Sequence, residues 1–209
     1  MQNRIRNRAL GGVLAVALVG LVGCDDFVAV ENPNQLEAEA IDNERDRSIL
    51  SQSAFQSFVA NYGDLAVYSA WFTMEARVGD TFPTRNEFGR RQISPLTNGD
   101  HAARWRGIHT PLAFAENTIR DIEEGGADID LARVYFTSGY LMLLQAELFC
   151  QPTIMQGRGI PGNALSSVQA LDTAIARLTR ANTIARALTG TEASDIANAS
   201  LVGIARAHL

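Results

Sequence analysis

The segment from Trp105 to Ile122 sets the strongest constraint on what this chain can fold into. Trp105, Ile108, Leu112, Ala115, Ile119 and Ile122 recur at spacings of 3, 4, 3, 4 and 3 residues. That is the repeat of one buried helix face, and a strand, whose side chains alternate every two residues, cannot use it. Pro111 falls inside the run and lacks an N–H, so a kink or a split is expected there. Gly125-Gly126 is expected to stop the helix.

The same period recurs along the chain. Leu50, Ala54, Phe58 and Tyr62 come every four residues, flanked by Phe55 and Val59; Gly63 reads as the end of that helix. A second helix, over about Asp64 to Ala76, would turn Leu65, Tyr68 and Phe72 inward. Asp128 or Asp130 supplies a cap for a helix reaching about Cys150, apolar nearly all round after Gly139 and therefore central to its domain. Ser166-Ser167-Val168-Gln169 reads as a capping box, followed by Val168, Leu171, Ala174, Leu178 and Ala181 facing inward, with Gly190 closing that helix. A last helix starts near Thr191. Residues 77–100 and the stretch "QPTIMQGRGIPGNAL" read as loops, the first long enough to suggest function. No segment reads as a convincing strand. The expected fold is all-α, built of helical hairpins. "SLVGIARAHL" ends the sequence in mid-helix, which reads as a fragment or a prematurely ended gene product.

The first residues have a different character. Arg4, Arg6 and Arg8 precede "ALGGVLAVALVGLVG", an apolar run of 15 residues where a membrane-spanning helix needs about 20. Basic flank, short apolar core and small residues before a cut give the layout of a secretory signal. Leu21-Val22-Gly23-Cys24 matches the lipobox of bacterial lipoproteins, in which the cysteine sulfur is alkylated by a diacylglyceryl group and becomes the new N-terminus. The organisation expected is a signal peptide over residues 1–23, an extended leader over 24–41 with a turn at Asn32-Pro33-Asn34, and a helical domain over 42–209. With Cys24 lipidated, Cys150 has no partner, and its apolar surroundings suggest a buried, inert thiol.

From Cys24 onward there are 15 arginines, no lysines and 23 acids, a balance of −8 that argues against a nucleic-acid surface. His101, His109 and His208 are scattered without zinc-ligand spacing, and no phosphate-binding or nucleophile-elbow motif occurs, so neither a metal nor another cofactor is expected. "DIEEGGADID" lacks the order of a calcium loop and reads as a solvated turn with helix caps. Among the aromatics, Trp105 falls on the apolar stripe and is expected in the core. Trp71 sits off the face shared by Tyr68 and Phe72, which makes it the candidate for stacking on a ligand. Asp80, Arg85 and Glu87 in the long loop offer charge but no base–nucleophile pair, which leaves an envelope hydrolase a weak reading.

Ala174-x3-Leu178-x2-Ala181 matches the second helix of a tetratricopeptide repeat, and "LVGIARAHL" the first helix of a following one, with Gly203 at the close-contact position. Together with the lipobox Cys24, the leader "DDFVAVENPNQL", "ARWRGIHTPLAFAENTIRDIE", "ARVYFTSGYLMLLQAELFC" and "ALDTAIARLTRANTIARAL", the chain resembles the SusD/RagB family of outer-membrane lipoproteins. The resemblance spans nearly all of residues 24–209 and departs at "FCQPTIMQG", which keeps a proline but no glycine before it. It implies the N-terminal, repeat-bearing part of a longer, non-catalytic protein. Such a protein is anchored by lipid at the outer membrane, binds oligosaccharide or peptide, and delivers it to a SusC-like TonB-dependent transporter. The alternative is a tetratricopeptide-type scaffold lipoprotein that binds envelope proteins. Asp25 after the anchor leaves the membrane leaflet open, since enteric sorting would retain such a lipoprotein at the inner membrane.

Overall fold

The computed structural model describes residues 45–157 and 160–209; the signal-like segment, Cys24 and the leader lie outside them. Among the described residues the elements run α1 (Arg47–Thr73), α2 (Pro83–Arg90), α3 (Gly99–Ile122), α4 (Ile129–Leu148), β1 (Thr153–Gly157), β2 (Ile160–Ala164), α5 (Ser167–Arg186) and α6 (Thr191–Ala207). The helical class is as expected, and six details differ.

Gly63 does not end a helix: α1 continues through it for 27 residues. A mid-helix glycine costs about 1 kcal/mol relative to alanine, and burial of Ala54, Phe58, Leu65 and Tyr68 along one side outweighs that. Met74, with φ of 69°, closes the helix instead. Phe72, expected to face inward, is exposed. Residues 77–100 contain a short helix, α2, with Pro83 in its first turn and Phe88 as its one buried residue. Arg91 follows it and donates through Nε to the Phe72 carbonyl at 2.8 Å, placing a cation on the negative end of α1.

Pro111 does not split α3. It is buried within an unbroken helix whose Asn98 cap accepts from the His101 N–H, and the expected stripe is its buried face except for half-buried Trp105. A 3-10 turn, Glu123–Gly125, and Gly126 at φ 100° then end the rod. Asp128 caps α4 by accepting from the Leu131 N–H.

The "QPTIMQGRGIPGNAL" segment pairs with itself as a two-stranded antiparallel hairpin, Thr153 opposite Ala164 and Met155 opposite Pro161. An isolated hairpin is marginal in water. This one is tied down where the Gln145 side chain accepts the Thr153 N–H at 2.6 Å. The Ser166–Gln169 capping box is present with both reciprocal hydrogen bonds. Val168 is exposed, and Ala170 takes the first inward place on α5.

The centre of the domain is the α4–α5–α6 stack. Leu178 of α5 lies between Gly139 of α4 and Gly203 of α6: a Cβ on Gly139 would stand 2.6 Å from Leu178 Cγ, and one on Gly203 2.8 Å from Leu178 Cδ1. The two glycines therefore set how closely α4 and α6 approach α5. Helix α1 covers the other side of α4 through Phe55 and Phe58 against Phe136 and Tyr140.

Polar groups cross this core in three places. Arg47 donates to Asp128 and to the Ile122 and Gly126 carbonyls at 2.5–2.6 Å, so the "DIEEGGADID" turn is the acceptor end of an inter-helix clasp. Arg133, 4% exposed, donates to Ser51 on α1, to Asp130 on its own helix and to Glu192 on α6. Glu116 accepts from Ser138 and from Arg177, which joins α3, α4 and α5.

Candidate functional site

The first half of α3 forms the floor of two adjoining hollows that share His101, Leu148 and Phe149 in their walls. The smaller, about 330 Å³, lies toward α1 and α2 between Leu65, Tyr68, Phe72, Phe88, Ile93 and Arg104. The larger, about 1010 Å³, opens toward the hairpin between Trp105, Arg106, Cys150, Thr153 and Gly162. Their lining follows from how the chain ends α4. Leu148 is the last helical residue, and Phe149, in extended conformation, swings its ring under Trp105 with centroids 4.9 Å apart.

Trp105 is half-buried on the groove wall, not in the core as expected. Its ring stacks on His109, centroids 3.8 Å apart and planes 35° from parallel. The stripe spacing placed Trp105 on the correct side of α3, but the helix outruns its neighbours there and leaves that face open. Cys150 corrects a second expectation. It is a free, exposed thiol on the groove rim, because α4 stops before it.

Trp71 is half-buried and packs on Tyr68 with centroids 4.7 Å apart. It lines a separate hollow of about 220 Å³ with Met74, Val78 and Arg90, apart from the groove on α3. Asp80 pairs with Arg85 at 2.7 Å. Glu87 accepts from the Ser94 N–H and the Asn98 amide, so both carboxylates hold the α2 segment in shape. Among the described residues no group of three His, Cys, Asp or Glu is placed to hold a metal ion.

His109 and Gln145 were not singled out by sequence, and nothing in their spacing could have done so. Gln145 is fully buried. Its carbonyl oxygen is committed to the Thr153 N–H, so its NH2 must face His109 Nε2, at 2.8 Å. An NH2 donor needs an acceptor, so the ring is neutral with its proton on Nδ1. Burial in addition pushes the His109 pKa down to about 4 from 6.5. The sign follows directly. Between pH 6.5 and 4 the unfolded chain binds a proton that the folded chain refuses, so stability falls as pH drops through that window. From pH 7 to pH 5 the loss expected from His109 is at most about 2 kcal/mol, discounted for its partial exposure. Urea midpoints at the two pH values should show it in the wild type and a much smaller slope in His109→Gln; an unchanged slope would contradict the assignment.

In the smaller hollow, burial and then the neighbouring Asp100 carboxylate raise the Tyr68 pKa, so the phenol remains a donor to Asp100 at 2.8 Å. The Arg104 guanidinium lies 4.6 Å from the Tyr68 ring centroid and pairs with Asp64. The groove thus presents aromatic and aliphatic walls with a few convergent polar groups, the usual make-up of a small-molecule or peptide site. Comparison with family models, with curated proteins and with solved structures finds no match to this chain. Among the described residues no helix is long and apolar enough to cross a membrane.

Proposed function

We propose that this chain is a non-catalytic lipoprotein of SusD/RagB type, anchored through Cys24 at the outer membrane. In this reading it binds a nutrient, oligosaccharide or peptide, and delivers it to a SusC-like TonB-dependent transporter. The observation that carries the binding half is the groove on α3, where Trp105, Phe149, His101 and Phe72 give an open aromatic surface next to Arg104 and Arg106. Behind this wall Gln145 holds His109 neutral through its NH2 and holds the hairpin through its carbonyl oxygen. The location rests on the basic flank, the apolar run and Leu21-Val22-Gly23-Cys24.

The packing of Leu178 between Gly139 and Gly203 supports a tetratricopeptide-like arrangement of α4, α5 and α6, in which small residues let a first helix approach the second. The exposed Leu201 and Val202 on α6 favour the second reading, a scaffold that binds envelope proteins through this face. Co-purification of the full-length protein from solubilised envelopes separates the two. The nutrient-binding reading predicts a β-barrel partner and retention on an oligosaccharide or peptide resin. The scaffold reading predicts other envelope proteins and no affinity for either resin.

A further inference from the structure

We propose that the smaller hollow is a carboxylate site, taking an acid with a bulky apolar group, either a free carboxylic acid or the last residue of a peptide. The inference rests on reading the α3 groove as a ligand surface, and on nothing about membrane or transporter. Arg104 carries it. Its side chain is 15% exposed and lines the hollow. Its Nη1 touches Asp64 as an ion pair without hydrogen-bond alignment, and its buried Nε has no hydrogen-bond partner. Asp64 is 61% exposed, so water screens that pairing and leaves the guanidinium under-used. Nε and Nη1 are closed to solvent, so an incoming carboxylate would meet the guanidinium at Nη2, which makes no hydrogen bond among the described residues, and would add charge-assisted bonds there.

The surroundings favour an anion. Arg104 and His101 sit in the first two turns of α3, at the positive end of a 24-residue helix. The neighbouring carboxylates are already engaged: Glu147 accepts twice from Arg206 at 2.6–2.7 Å, and Asp100 accepts from Tyr68 and Thr84. Around Arg104, Leu65, Phe72, Phe88, Ile93 and Phe149 give the hollow walls that suit an apolar group, although Ser69, Thr73 and Glu147 also line it. A volume of about 330 Å³ is at the small end for ligand pockets, consistent with one residue-sized group.

The test is calorimetric titration of the purified full-length chain with 3-phenylpropionate, its neutral amide, the dipeptide Ala-Phe, Ala-Phe amide, and maltoheptaose. The expected result is that at least one acid binds and its amide binds about tenfold more weakly or worse. Arg104→Gln should erase the preference for acid over amide. If that variant fails to fold, the comparison in the wild-type chain decides alone. Binding of both acids assigns the site to free apolar acids as well as peptides, and binding of Ala-Phe alone assigns it to peptide C-termini. Equal affinity for acid and amide, or binding of neither, overturns the inference. Binding of maltoheptaose with no acid binding also overturns it, yet leaves the nutrient-binding reading standing. Acid binding without a barrel partner does the reverse.

Discussion

Gly139→Val is expected to lower the stability of the helical domain by about 3 kcal/mol or more, at the upper end of overpacking costs. A Cβ there would stand 2.6 Å from Leu178 Cγ and 3.1 Å from the Leu178 backbone nitrogen. Rotation of the leucine relieves the first contact. Only separation of α4 from α5 relieves the second, and the apolar contacts along both helices resist it. Gly139→Ala gains up to about 1 kcal/mol of helix propensity, so a net loss in that variant would show that the clash outweighs it. Gly203→Ala should cost less, because its nearest neighbours are the far ends of Leu178 and Tyr140. Urea denaturation should rank Gly139→Val above Gly139→Ala above Gly203→Ala. Combining Gly139→Ala with Leu178→Ala should cost less than the sum of the two changes. Strict additivity would contradict the wedge geometry.

The second large effect is expected at Arg133. Its replacement by alanine should cost about 3–5 kcal/mol, the usual result of removing one partner from a buried charge pair. Asp130, with a side chain 14% exposed, would keep its charge next to Ser51 without a counter-ion. Glu192 is 54% exposed, so its share of the network is worth little. Glu192→Gln should accordingly cost under about 1 kcal/mol. Arg133→Met combined with Asp130→Asn should recover most of the loss, since it removes both charges and retains the buried stem volume. A Glu192 variant as damaging as Arg133→Ala would mean that the cross-link to α6, not the buried pair, is what matters.

These two sites differ in how far sequence could have found them. Gly139 and Leu178 lie on periodic helices, and the Ala174-Leu178-Ala181 spacing already implies a close partner. The α3 stripe, the Asp128 cap and the Ser166–Gln169 box were legible for the same reason: each is a local pattern in which neighbours in sequence meet in space. The Arg133 network was not legible, because its partners Ser51 and Glu192 come from α1 and α6. Gly63 misled because a breaker acts locally, whereas the continuity of α1 comes from burial on either side of it. The hairpin was missed because its glycines and prolines are also what a loop contains. The groove was half legible. Spacing gave the face on which Trp105 lies, but whether a neighbour covers that face depends on where α4 stops.

We propose that lipid on Cys24 holds the chain at the cell surface, and one paired measurement tests this. Intact cells expressing the full-length protein or Cys24→Ser are labelled with an antibody against the helical domain, and their membranes are separated from soluble fractions. The expected result is surface labelling and membrane recovery for the wild type, with both lost in Cys24→Ser and the protein released or retained uncleaved. Equal membrane recovery and equal labelling of the two proteins would rule out Cys24 as the anchor.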